Sequence, residues 1–172
     1  MKKIFVVNGC GGIGKTTFEQ IVEDIICNND TNINVEIISI IDYIKHIAYK
    51  IGWNGRKDLK GRKLLSELKD ILTEYNDIPY QKLQKTIEDI DDNSVIFIDS
   101  REKADIERLV SDYHAKTILI INSLKDKVIY GNHADDNVND YNYDICIDNC
   151  GSLNELREKA NIFYETFIRG EE

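Results

Sequence analysis

The chain has 172 residues, 42% of them apolar and 31% charged, the balance of a globular domain rather than a disordered segment. Its 22 Lys and Arg against 31 Asp and Glu leave a net charge of −9 with no dense basic stripe, which argues against a nucleic-acid binder and against docking on an anionic membrane. No stretch approaches the roughly 18 uninterrupted apolar residues that a membrane span needs.

The first apolar run, Ile4 to Val7, is short and β-branched, and it stops at Asn8 and a glycine cluster. A buried parallel strand has that pattern, whereas a signal peptide needs a longer apolar stretch. The four cysteines form no CxxC pair, and a cytoplasmic location with no zinc site is the expectation. Thr16 to Cys27 predicts a helix with Phe18, Ile21, Val22, Ile25 and Ile26 on one side. A second strand is expected over 35–40 and a helix over 42–51. Residues 52–58 read as a loop, 61–75 as a helix, and Pro79 opens another helix.

Val95 to Ile98 predicts a third strand that ends at Asp99. A helix over 102–113 and a strand over 117–121 follow. Residues 122–143 are polar and Asn/Asp-rich, and 144–147 read as a short fifth strand. Ser152 and Glu155 form a capping box for the last helix. Strands alternating with helices predict a parallel sheet covered on both faces, formed by a single domain over 1–172 with a long helical insertion at about 42–90.

The strongest chemical signal is Gly9-Cys10-Gly11-Gly12-Ile13-Gly14-Lys15-Thr16, which fits the phosphate-binding P-loop G-x-x-x-x-G-K-[ST]. Gly9, Gly11, Gly12 and Gly14 permit backbone turns that point successive N–H groups inward, with Ile13 between them. Those amides and the following helix start meet phosphate, together with Thr17 one residue beyond the motif. Lys15 is placed to reach the β- and γ-phosphates, and the Thr16 hydroxyl to ligate magnesium. Asp99, an acid ending an apolar strand, is the second magnesium candidate. Arg101 lies at the same sheet end and is a candidate for the transferring phosphate.

Several features resemble nucleoside monophosphate kinases, in particular the phage-type deoxynucleoside monophosphate kinases and adenylate-kinase-like small-molecule kinases. They are the variant G-x-x-G-x-G-K-[ST], Asp42-x-x-Lys45, Gly52-Trp53, Lys57-Asp58, Gly61-Arg62-x-Leu64-Leu65 and Asp99-x-Arg101. The resemblance implies a three-layer α/β P-loop fold with five parallel strands in the order 2-3-1-4-5. It implies ATP and Mg2+ as cofactors and transfer of the γ-phosphoryl group to a nucleotide-like acceptor. In such kinases the insertion after strand two holds the acceptor, which makes Asp42, Lys45, Arg56 and Arg62 the substrate-binding candidates. Tyr43 and Trp53 are available to stack on a base. The catalytic candidates are Lys15, Asp99 and Arg101.

The chain departs from the family in its lid-like loop, about 122–143, which carries Lys125, Lys127 and His133 but no arginine. Alternatives are a kinase of another phosphorylated metabolite, a catalytically weak nucleotide-binding module, and a ParA/MinD-like ATPase. The last has an extra lysine near the loop start where this chain has Cys10. The Asn-Lys-x-Asp that reads guanine in GTPases is not matched by Asn122-Ser123-Leu124-Lys125-Asp126.

Overall fold

The structure is a computed structural model that describes residues 2–30, 32–124 and 141–170. Its strands are β1 (Lys3–Asn8), β2 (Asn34–Ser39), β3 (Ser94–Asp99), β4 (Lys116–Ile121) and β5 (Ile145–Asp148). Its helices are α1 (Lys15–Asn29), α2 (Asp42–Lys50), α3 (Leu59–Asn76), α4 (Ile78–Asp89), α5 (Lys103–Tyr113) and α6 (Leu153–Phe163). A π-helical turn, Tyr164–Arg169, continues α6. The five strands form one sheet in the order β2-β3-β1-β4-β5, the expected topology of a three-layer α/β P-loop fold.

β1 is central because both of its faces are apolar. It pairs in parallel with β3, from Lys3 opposite Val95 to Val7 opposite Asp99, and with β4, from Phe5 opposite Lys116 to Asn8 opposite Leu119. β4 pairs in parallel with β5, from Ile118 opposite Ile145 to Ile121 opposite Asp148. The parallel direction and these registers bring the carboxyl ends of β1, β3 and β4 to one edge of the sheet. That edge is where open α/β sheets bind ligands.

The chain divides into two compact units. The first comprises Met1–Ile37 and Asp91–Glu172. Its core joins β1, β3 and β4 to the apolar faces of α1 and α6, with Phe5 edge-on to Phe163 at 5.0 Å between ring centres and stacked on Phe97 at 5.6 Å. Ser152 caps α6 by accepting a hydrogen bond from the Glu155 N–H at 3.3 Å, and its hydroxyl donates to Glu155 Oε1 at 3.1 Å. The N-cap half of the predicted box is therefore formed, and the Glu155 carboxylate meets the Ser152 hydroxyl rather than its backbone N–H.

The second unit, Ile38–Ile90, holds α2, α3 and α4. Ile44, Ala48 and Leu65 form its buried centre, with Trp53, Leu64, Leu68 and Leu72 packed against them. Asp58 caps α3 by accepting from the Gly61 N–H at 2.8 Å.

Of the lid-like loop expected over 122–143, residues 125–140 lie outside the described residues, and Lys125, Lys127, His133, Asp135, Asp136 and Asp140 with them. Among the described residues no helix is long and apolar enough to cross a membrane.

Candidate active site

The phosphate loop begins where β1 ends, and its shape is set by backbone rather than by side chains. Gly9 has φ +146°, and a Cβ there would run into the backbone carbonyl of Ile120 on β4. Only glycine fits both constraints. Asn8 locks the turn, with its Oδ1 accepting from the Gly9 N–H at 2.7 Å. Its Nδ2 donates to the Tyr143 hydroxyl at 2.7 Å and reaches the Arg101 carbonyl at 3.4 Å.

At the other end of the loop Gly14 is the N-cap of α1, with φ +104°. A side chain at Gly14 would collide with the amide of Asn149. Asn149 Nδ2 donates to the Ile13 carbonyl at 2.8 Å, the Asn149 N–H donates to the Ile121 carbonyl at 2.7 Å, and Asn122 Nδ2 donates to the Asn149 carbonyl at 2.5 Å. The loop is thus strapped to the ends of β4 and β5. Ile13 is buried and anchors the loop in the core, while Gly12, Thr16 and Thr17 are exposed.

Lys15, the first residue of α1, folds back over this loop. Its Nζ donates to the Gly9 carbonyl at 2.6 Å and the Cys10 carbonyl at 3.2 Å. The ammonium therefore sits inside the loop it serves. Asp99 is the last residue of β3, opposite Val7 on β1, and the next residue continues the edge, with the Ser100 N–H donating to the Val7 carbonyl at 3.2 Å. Arg101 follows, and its Nη2 lies 4.0 Å from where a Cβ on Gly11 would stand. The fold therefore gathers Gly9, Gly11, Gly14, Lys15, Asp99 and Arg101 at one sheet edge.

One acid beside this cluster escaped the sequence reading. Glu19 lies on α1 among Phe18, Ile21 and Val22, and its residue exposure is 0%. Neither carboxyl oxygen has a hydrogen-bond partner among the described residues. Burial, reinforced by the charge of Asp99 and partly offset by Lys15, pushes its pKa up to about 8. The signal available in the sequence was a glutamate at an apolar-face position of an amphipathic helix, four residues after the loop lysine.

No protein-family model matches the chain, and no curated protein matches it. Several solved structures resemble it, among them a shikimate kinase, an APS kinase and the protein APE1195. A shikimate kinase from Aquifex aeolicus vf5 is 13% identical with a TM-score of 0.48, covering 99% of this chain and 99% of that one. An APS kinase from Mycobacterium tuberculosis is 13% identical with a TM-score of 0.46, covering 95% and 98%. The protein APE1195 is 14% identical with a TM-score of 0.50, covering 99% and 97%. At that identity the likeness to APE1195 concerns the fold alone.

The four substrate-binding candidates lie in the second unit, in two groups. Asp42 begins α2, its Oδ2 accepting from the Ser39 N–H at 2.7 Å and its Oδ1 pairing with Lys45 Nζ at 2.7 Å. Asp42 and Tyr43 line a cavity of about 240 Å³, where Lys82 Nζ stands 5.2 Å from the centre of the Tyr43 ring. Arg56 and Arg62 flank the start of α3 and are exposed. Arg62 Nε donates to the Lys57 carbonyl at 2.9 Å. Trp53 lies tilted against Tyr49 with 4.8 Å between ring centres and donates from Nε1 to the Arg56 carbonyl at 3.1 Å, so its indole is engaged in holding the turn before α3.

Proposed function

We propose that the chain is an ATP-dependent phosphotransferase, a nucleoside or deoxynucleoside monophosphate kinase. The observation that carries this reading is the loop from Gly9 to Thr16, a cradle of main chain between β1 and α1 with its lysine folded inward. An anion entering this loop meets backbone N–H groups and the start of a 15-residue helix.

The oxygen donors near the loop suit a hard divalent cation. Thr16 supplies a hydroxyl, Asp99 a carboxylate, and the buried Glu19 carboxyl, with neither oxygen hydrogen-bonded among the described residues, leaves polar capacity unused. Thr16 and Asp99 would hold Mg2+, which when bound neutralises charge on the phosphates.

Lys15 and the loop amides hold the donor phosphates. Arg101 stabilises the charge on the transferring group. Lys45, Arg56 and Arg62, with Asp42 orienting Lys45, bind the acceptor. An acceptor phosphate oxygen is already nucleophilic, so catalysis rests on positioning and charge stabilisation, and little general-base chemistry is needed.

The test is ADP release from Mg-ATP, alone and with each common ribo- and deoxyribonucleoside monophosphate. A large acceleration by one or a few acceptors is expected. ATP binding with no acceleration by any of them would sink the nucleotide-kinase reading. It would leave a kinase of another metabolite or a binding module.

A further inference from the structure

We infer that Glu19 is a second acidic group of the divalent-cation site, a positioning residue that accepts hydrogen bonds from the water ligands of the cation held by Thr16 and Asp99. The inference rests on the P-loop reading above and extends it to a residue that the loop motif does not contain.

Glu19 follows Thr16 by three residues and Lys15 by four on the same helix, so all three share one helix face. Asp99 approaches from β3, and its charge and that of Lys15 are both felt at the Glu19 carboxyl. The side chain is fully buried, and neither oxygen receives a hydrogen bond from the described residues. An ionised carboxylate in such a place is costly unless a cation or strong donors face it.

The nearby Lys15 does not hydrogen-bond the Glu19 carboxyl, and its Nζ donates to the carbonyls of Gly9 and Cys10. A purely structural explanation gains nothing from a glutamate here. A leucine or methionine between Phe18 and Ile21 would pack against the same core without the desolvation cost. Magnesium keeps most of its water ligands when bound by few protein groups, and those waters are the hydrogen-bond donors that Glu19 lacks.

The experiment measures Mn2+ affinity of the protein–ADP complex by electron paramagnetic resonance, in the full chain and in the variants E19Q and E19D. ADP affinity is measured in parallel with EDTA present. E19Q keeps the size and removes the charge, so Mn2+ should bind about tenfold more weakly, while ADP affinity in EDTA stays equal or rises.

E19D keeps the charge but withdraws it by one methylene and should cost two- to fivefold. If E19Q does not fold, E19D alone decides. Mn2+ affinities within twofold of wild type in the folded variants overturn the role of Glu19. A wild-type complex that holds no Mn2+ beyond that bound by ADP itself overturns the cation site as a whole, and the Glu19 assignment with it. The two failures are therefore distinct.

Discussion

The first unit and the second unit present their chemistry in different materials. In the first, the phosphate loop is made of main chain. Glycine torsions, a helix start and the Asn8 and Asn149 amides set its form, and Lys15, Asp99 and Arg101 add charge. In the second, the candidate groups are side chains on α2, on α3 and on the loop before α3, and Arg56 and Arg62 are exposed. A backbone site demands particular residue types at fixed spacing. A side-chain site can be built from any cation that reaches, so it leaves a fainter mark in a sequence and tolerates exchange.

That contrast can be tested from its strong end. Lys15→Ala should lower turnover by about a thousandfold or more, the scale expected when a principal donor to a developing charge is removed. Circular dichroism should show the fold intact. A variant retaining full rate would remove the loop from the mechanism.

The next effect is on stability. The folded-state pKa of Glu19, about 8, lies above its ordinary 4.5, so the folded protein binds this proton more tightly than the unfolded chain. The contribution is fully present below about pH 4.5 and is lost as pH rises towards and through 8. E19Q should therefore be more stable than wild type at pH 8 to 9, by at most about 5 kcal/mol, and the two should converge near pH 5. Parallel melting curves across that range would count against a buried neutral acid.

Arg62→Ala tests the weaker side of the comparison. It should raise the KM for the acceptor about tenfold and leave the KM for ATP unchanged, as loss of a uniform binding contact does. An altered ATP KM with an unaltered acceptor KM would remove Arg62 from the acceptor site. The smallest effect belongs to Asn149→Ala, which frees the Ile13 carbonyl. It should cost about 1 kcal/mol in a denaturant titration and weaken nucleotide binding severalfold. No change in nucleotide affinity would show that the strap is dispensable to the loop.

The legibility of the fold follows the same division. Ile4 to Val7, Val95 to Ile98 and Thr117 to Ile121 announce themselves because a strand buried on both faces must be apolar without interruption. The structure extends each by a residue or two, where Lys3, Asn8, Ser94 and Lys116 continue the ladder with polar side chains. Gly9, Gly14 and Lys15 are legible because loop geometry excludes other residues.

Asn149 and Tyr143 were not legible. Nothing local marks them, and their meaning arises only when β4 and β5 carry them to the loop. Glu19 was hidden for a different reason. Helical periodicity records which face a residue occupies but not that a carboxyl on that face has been left without a donor. Trp53 illustrates the reverse limit, since an aromatic that invites a stacking role is also suited to closing a turn, and its indole N–H is bonded to the Arg56 carbonyl.

The inward fold of Lys15 has a kinetic side. Its ammonium already holds two carbonyl oxygens of the loop, so an arriving phosphate exchanges partners with it rather than meeting a fully hydrated cation. Much of the attraction is offset by the bonds given up, and residence of the nucleotide should depend more on the amides and the helix start than on this side chain. In the proposed transfer, the same lysine would slide between carbonyl and phosphate with little solvent rearrangement. Loss of Lys15 should accordingly register in the rate of the chemical step far more than in how long ATP stays bound.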